Sequence, residues 1–164
     1  MDKSSIEDIC PLSPMQDGFL FQSLYDPDPE AYFVQMSFRF RGELRQDAFQ
    51  RTWRLLSDRH GALRSAFIHE GLGRPAQVVL KTRPPEITFT SIERLAPDEQ
   101  RRRIDRFKQQ DRRRGFDLAR DVLMRIAVFQ VQPDEHHVLW SFHHILLDGW
   151  SMSIRSEEHT SELQ

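Results

Sequence analysis

The stretch His137-Val138-Leu139-Trp140-Ser141-Phe142-His143-His144-Ile145-Leu146-Leu147-Asp148-Gly149 decides the reading of this chain. Residues His137 to Phe142 form an apolar run of strand length, and Asp148-Gly149 is a turn signal. Upstream, Leu123 to Val131 is apolar and β-branched, and Pro133-Asp134-Glu135 supplies a turn, so the two runs predict a β-hairpin. A helix is expected to begin near Trp150. The end of a strand is a rigid mount for a reactive group. A neutral histidine is the natural base near pH 7, and adjacent histidines on extended backbone point to opposite faces. One of His143 and His144 can therefore face a substrate while the other packs. Taken alone, the pair also reads as two partly buried histidines closing an ordinary strand. A metal reading would use His136, His137, His143 and His144. Their adjacent pairing is not the usual ligand spacing, and no cysteine supports it.

Working outward, Pro11-Leu12-Ser13-Pro14 opens a helix, with Ser13 as its cap and Pro14 as its first residue. Met15, Phe19, Leu20 and Leu24 recur at helical spacing as its buried side, and Asp26-Pro27-Asp28-Pro29 ends it. Tyr32 to Arg41 alternates as a strand, with Val34, Met36, Phe38 and Phe40 on one face. Glu43 to about His60 reads as an amphipathic helix burying Ala48, Phe49, Trp53, Leu55 and Leu56, with Gly61 near its C-terminal cap. Leu63 to His69, Ala76 to Lys81 and Ile87 to Ser91 read as short strands. A long helix runs from Pro97 to about Arg114 and stops at Gly115. The order predicts an α/β (α+β) fold: a mostly antiparallel sheet with packed helices.

Composition narrows the classes. The chain has 164 residues, 38% hydrophobic and 29% charged, enough for one domain or one lobe of a larger one. No apolar run reaches the roughly 20 residues needed to span a bilayer, and the N-terminus has no signal-peptide core. A single cysteine, Cys10, forbids an internal disulfide and fits a reducing cytosol. The balance of 23 basic and 25 acidic residues, net −2, argues against a nucleic-acid binder. The basic run from Arg94 to Arg114 contains Asp98, Glu99, Asp105 and Asp111, the pattern of an exposed helix with i,i+4 pairs. Docking of an acidic partner is the functional alternative for that face.

Two further clusters read as packing when taken singly: Arg59-His60-Gly61-Ala62-Leu63-Arg64-Ser65-Ala66-Phe67, and Phe116-Asp117-Leu118 with Leu123 and Arg125. Together with Leu12-Ser13-Pro14-Met15-Gln16-Asp17-Gly18 and His143-His144-Ile145-Leu146-Leu147-Asp148-Gly149, they stand in one order along the chain. In that order they resemble the condensation domain of non-ribosomal peptide synthetases. The first stretch is similar to the family's opening motif. Residues 59–67 are similar to its Arg-His-x-x-Leu-Arg-Thr-x-Phe motif, with Ser65 in place of Thr. Residues 143–149 match its His-His-x-x-x-Asp-Gly active-site motif. The resemblance covers about Ile6 to Ile154.

The resemblance implies a chloramphenicol-acetyltransferase-like fold. Residues 1–154 would be the N-terminal lobe of a two-lobed domain, inactive alone, and residues 1–10 a docking segment. Residues 155–164 resemble an in-frame translation of a sequencing adapter and are expected to be a non-native tail. The implied reaction is peptide-bond formation, an acceptor amine attacking a donor acyl or peptidyl thioester. No cofactor is expected to bind directly; phosphopantetheine is carried by the partner carrier proteins. The expected partners are upstream and downstream carrier domains, the second lobe and an adenylation domain, with no nucleic acid and no membrane. His144 is expected to be catalytic, as general base or by positioning the amine. His143 and Asp148 are expected to be structural, Asp148 being held by Arg64 or by an arginine of the second lobe. Gly149 is expected to place backbone dipoles near the oxyanion, and Arg59, His60 and Arg64 to support the site. The opening motif and the form of residues 143–150 look like members that accept a donor ending in a D-residue. The related epimerization domain and a non-catalytic carrier-docking module are the alternatives.

Overall fold

In the computed structural model, residues 3–25, 28, 30–71 and 73–147 are described. The elements in chain order are β1 (Ile6–Pro11), α1 (Pro14–Tyr25), β2 (Phe33–Arg41), α2 (Gln46–Arg59), β3 (Ser65–Ile68), β4 (Ala76–Leu80), β5 (Glu86–Ser91), α3 (Pro97–Arg114), β6 (Met124–Gln132) and β7 (Glu135–His143). The expected hairpin is β6–β7, antiparallel from Met124↔Phe142 to Gln132↔Glu135. It forms the centre of a four-stranded sheet ordered β2-β7-β6-β5. β2 pairs antiparallel along β7. β5 pairs parallel to β6, with α3 as the crossover helix, so the sheet is mostly but not wholly antiparallel.

Period-two alternation assigns each face its helix. Ile126, Val128 and Val138 point to the side where Phe49 and Trp53 of α2 pack. Ala127, Phe129 and Leu139 point the other way, toward Ile104 and Phe107 of α3. The sheet is thus covered on both faces. Complete burial of a side chain such as Phe67 or Phe142 contributes about 2–3 kcal/mol.

Local chemistry explains most of the ends. The Gln16 N–H bonds Ser13 Oγ at 3.2 Å, and Gln16 Oε1 accepts the Ser13 N–H at 3.0 Å, so α1 starts with a reciprocal capping box. Glu99 Oε2 accepts the Ala96 N–H ahead of α3. Gly115 stops α3 with φ 58° and ψ −153°, a conformation that only glycine adopts cheaply.

Several expectations need correction. Residues 6–11 form a strand, β1, on the edge of a second sheet ordered β1-β4-β3. Only Ile6 and Cys10 are even half-buried there, so the run has too weak an alternation to read as a strand. The second motif does not extend from Leu63: residues 61–64 make a 3-10 turn, and the strand begins at Ser65. α2 begins at Gln46 rather than Glu43, and its last turn leads into an extended His60 rather than a left-handed glycine. At Gly61 a Cβ would lie 3.2 Å from Val79 Cγ1, a tight contact that the valine would have to yield to. Leu55 and Ala48 are exposed, because α2 meets the sheet through the narrow stripe of Phe49, Trp53 and Leu56. In α1, Leu20 is buried while Met15 and Leu24 are about half exposed. Asp111, expected on the solvated side of α3, is buried. The helix expected near Trp150 and the tail at 155–164 lie outside the described residues.

Candidate active site

The four stretches singled out in the sequence meet in one apolar cluster. Leu20 follows from the opening motif, Leu63 and Phe67 come from the second, and Leu118 and Leu123 from the third. Ile145 and Leu146 come from the histidine motif, and all of these are buried together. Leu12, Phe19 and Phe116 pack on the same cluster from its edge. The loop after β7 is therefore anchored by its own leucine and isoleucine, with its histidines beside them.

The two histidines have different surroundings. His143 is 4% exposed. Its Nδ1 accepts the Ile145 N–H at 3.1 Å, and its ring meets Phe116 edge-on at 6.5 Å and Tyr32 at 6.2 Å. Burial, and secondarily His144, pushes its pKa down to about 4. It is a neutral structural acceptor that folds the turn back on itself. His144 is only half-buried. Its N–H donates to the Tyr32 carbonyl at 2.9 Å, which extends the β2–β7 ladder by one bond. Its ring lies 5.0 Å from that of Phe19, tilted by 36°. Its Nδ1 is buried with no hydrogen-bond partner among the described residues. Asp148 and Gly149 lie outside the described residues.

The remaining histidines point elsewhere. His136 stacks on Phe40 at 5.2 Å, and His137 Nε2 lies 2.8 Å from Ser37 Oγ. Burial first, then Lys108 and Arg39, lowers the His137 pKa.

The arginines of the second motif separate as well. Arg64 is buried at the base of the fold. Its Nη1 bonds Glu7 Oε2 at 2.6 Å and the Leu80 carbonyl, its Nε bonds the Ser57 carbonyl at 2.9 Å, and its Nη2 reaches the Asp58 carbonyl. It thereby ties β1, α2 and β4 together. Arg59 is exposed at the end of α2. His60 bridges α2 to the 3-10 turn, its N–H donating to Leu56 and its carbonyl accepting from Leu63, each at 3.0 Å.

Two buried arginines carry more of the site's support than the sequence showed. Arg125 donates to Asp111 Oδ1 and to the Gly115 carbonyl, each at 2.8 Å, with its guanidinium 3.9 Å from the centre of the Phe116 ring. Burial lowers its pKa, partly offset by Asp111. Arg83 donates to the carbonyl of Ser65 at 2.8 Å and to those of Arg120 and Asp121, joining β3 to the loop that carries Leu118. Nothing in Lys81-Thr82-Arg83-Pro84-Pro85 distinguishes Arg83 from a surface arginine. The signal for Arg125 was present, an arginine inside a buried strand, but its partner Asp111 sits in a run that reads as solvated.

Comparison with known proteins places this architecture. The sequence matches the family described as Condensation domain over residues 6–160. It is 45% identical over 149 residues to a plipastatin synthase of Bacillus subtilis (strain 168), covering 91% of this chain and 6% of that protein. It is 41% identical over 152 residues to gramicidin S synthase 2 of Brevibacillus brevis, covering 93% of this chain and 3% of that protein. The chain thus spans a small fraction of the length of these curated relatives. Among solved structures, it is similar to the starter condensation domain of rhizomide synthetase RzmA, with a TM-score of 0.74 at 21% identity, covering 88% of this chain and 36% of that one. It is similar also to the first condensation domain of the calcium-dependent antibiotic synthetase, with a TM-score of 0.75 at 22% identity, covering 89% of this chain and 35% of that one. The fold is the chloramphenicol-acetyltransferase-like one that the motifs implied. Its four converging motifs and its likeness to the synthetases agree: the chain belongs to the condensation domain family of non-ribosomal peptide synthetases.

Proposed function

We propose that the chain carries the catalytic histidine of a domain that forms a peptide bond between two carrier-bound thioesters. The observation that carries this reading is the division of labour in the histidine pair. His143 is buried and held neutral as an acceptor for the Ile145 N–H, while His144 is half-buried on a turn anchored by buried Ile145 and Leu146. In the proposed step, the acceptor's amine nitrogen attacks the donor's thioester carbonyl carbon. The C–N bond forms, the C–S bond breaks, and the proton lost from nitrogen ends on the departing thiolate. His144 either takes that proton or orients the amine, and holding both thioesters together supplies much of the rate. Gly149 would lie by the developing oxyanion and Asp148 would brace the loop. Both substrates would arrive on phosphopantetheine arms of carrier domains, the donor ending in a D-residue. Residues 1–10 would help to choose the upstream partner.

The test replaces His144 by alanine in a synthetase carrying this chain and measures product and carrier binding separately. Loss of product with binding retained supports catalysis at His144. Unchanged product formation would sink it and favour a docking role for the basic face of α3. Racemisation of a carrier-bound residue in place of condensation would assign the site to epimerization.

A further inference from the structure

A histidine that works as a base is usually aimed by a hydrogen bond on its other ring nitrogen. His144 Nδ1 is buried and has no such bond among the described residues. Among the described residues, what meets its ring is an aromatic contact. Phe19, on α1, lies against it at 5.0 Å and 36°. Behind Phe19 stands Tyr32, whose ring meets Phe19 edge-on at 4.8 Å and 61°. Tyr32 also receives the His144 N–H on its carbonyl at 2.9 Å.

The backbone at Tyr32 is unusual. Its φ of 59° makes it the one non-glycine residue with positive φ among the described residues. For an aromatic side chain that conformation is costly and persists only where its surroundings enforce it. Here it closes the turn formed by the Ala31 N–H on the Asp28 carbonyl and the Phe33 N–H on the Glu30 carbonyl. It brings the carbonyl to the His144 N–H and the ring against Phe19, with the His143 ring 6.2 Å away. A glycine would meet the backbone requirement at lower cost, so the side chain has a job that the turn alone does not explain.

We propose that Phe19 and Tyr32 are positioning residues for the His144 imidazole. Tyr32 fixes the histidine's backbone through its carbonyl and backs the Phe19 ring with its own. Phe19 sets the plane in which the imidazole can turn. This rests on the assignment of His144 above. Two rings, from α1 and from the turn before β2, thereby couple the opening motif to the histidine motif, which lie more than a hundred residues apart in sequence.

The test uses the synthetase that carries this chain, with carrier-loaded substrates and steady-state condensation kinetics. Phe19→Leu keeps apolar bulk but removes the flat face. Tyr32→Gly keeps the left-handed backbone and the carbonyl but removes the ring. Each is expected to lower kcat about 10- to 100-fold, the scale of a misplaced reacting group, with KM within about twofold. The double variant is expected to lose no more than the worse single one, since both act through one ring contact. Phe19→Tyr and Tyr32→Phe keep the rings and are expected to restore activity to within about threefold of wild type. A kcat unchanged in Phe19→Leu, while His144→Ala abolishes product, overturns this inference and leaves the catalytic assignment standing. So does a loss that appears only in KM or only as a lower melting temperature. Full activity in His144→Ala removes the assignment and this inference with it.

Discussion

Lowering the pH should destabilise this fold partly through His143, and the size of the effect follows from its surroundings. Its pKa is pushed from an ordinary value of 6.5 down to about 4, chiefly by burial. In the unfolded chain the imidazole protonates near 6.5. Between that value and about 4, the unfolded state binds a proton that the folded state refuses. The stabilisation is complete above pH 6.5 and is lost as pH falls toward 4. A gap of roughly 2.5 pH units at about 1.4 kcal/mol each amounts to about 3 kcal/mol. The side chain is 4% exposed, so little of this is screened by solvent. His137, also held low by burial, and Glu86, held low by its bond to Arg114, add losses of the same sign on acidification. A comparison with His143→Asn removes their contribution. Asparagine offers an amide oxygen near the place where Nδ1 accepts the Ile145 N–H, and it does not titrate. Urea unfolding of both proteins at pH 7.5, 6.5, 5.5 and 4.5 is the assay. The stability difference between them is expected to move in the variant's favour by about 2–3 kcal/mol over that range. With a urea slope of about 1.5 kcal/mol/M, this is a relative midpoint shift of about 1.3–2 M. Parallel pH profiles would refute the claim that folding holds His143 neutral.

Three other outcomes follow from the supports of the site. Asp111→Ala leaves the Arg125 guanidinium buried without its carboxylate and should cost about 3–5 kcal/mol in urea unfolding, whereas Asp111→Leu with Arg125→Met should cost much less. A small loss in the single variant would mean that solvent reaches the pair. Gly115→Ala must hold φ near 58° and ψ near −153°, and a thermal melt should show about 1–3 kcal/mol of destabilisation; no change would mean that α3 can end another way. For Arg64, bonded to Glu7 and to carbonyls of α2 and β4, Arg64→Met should detach β1, read as faster amide exchange across residues 6–10 than in β6; equal protection would show that β1 is held by its ladder alone.

Local chemistry wrote much of this molecule into its sequence. The Ser13 cap, the glycine stop after Arg114, the alternation of β2 and the hairpin around Pro133 depend on neighbours within a few residues, and each is legible without a structure. The order of four motifs was enough to expect the family and to single out His143 and His144. Packing decided what remained. Which apolar side chains of α1 and α2 are buried depends on the crossing of helix and sheet, so Leu55 and Met15 read as core yet face outward. The edge strand β1 exists because β4 offers it a ladder, a pairing across some seventy residues that no local pattern encodes. Asp111 reads as a solvated acid and Arg125 as a strand arginine without a partner until the fold brings them to 2.8 Å in a dry interior. The two histidines are identical in sequence and differ only in what the tertiary structure sets beside them. One has the Ile145 N–H at its Nδ1 and the cost of burial; the other has the Phe19 ring and the Tyr32 carbonyl. Residue type and order determine what chemistry is available. The distances and the dielectric that give the two histidines different surroundings come from contacts far apart along the chain.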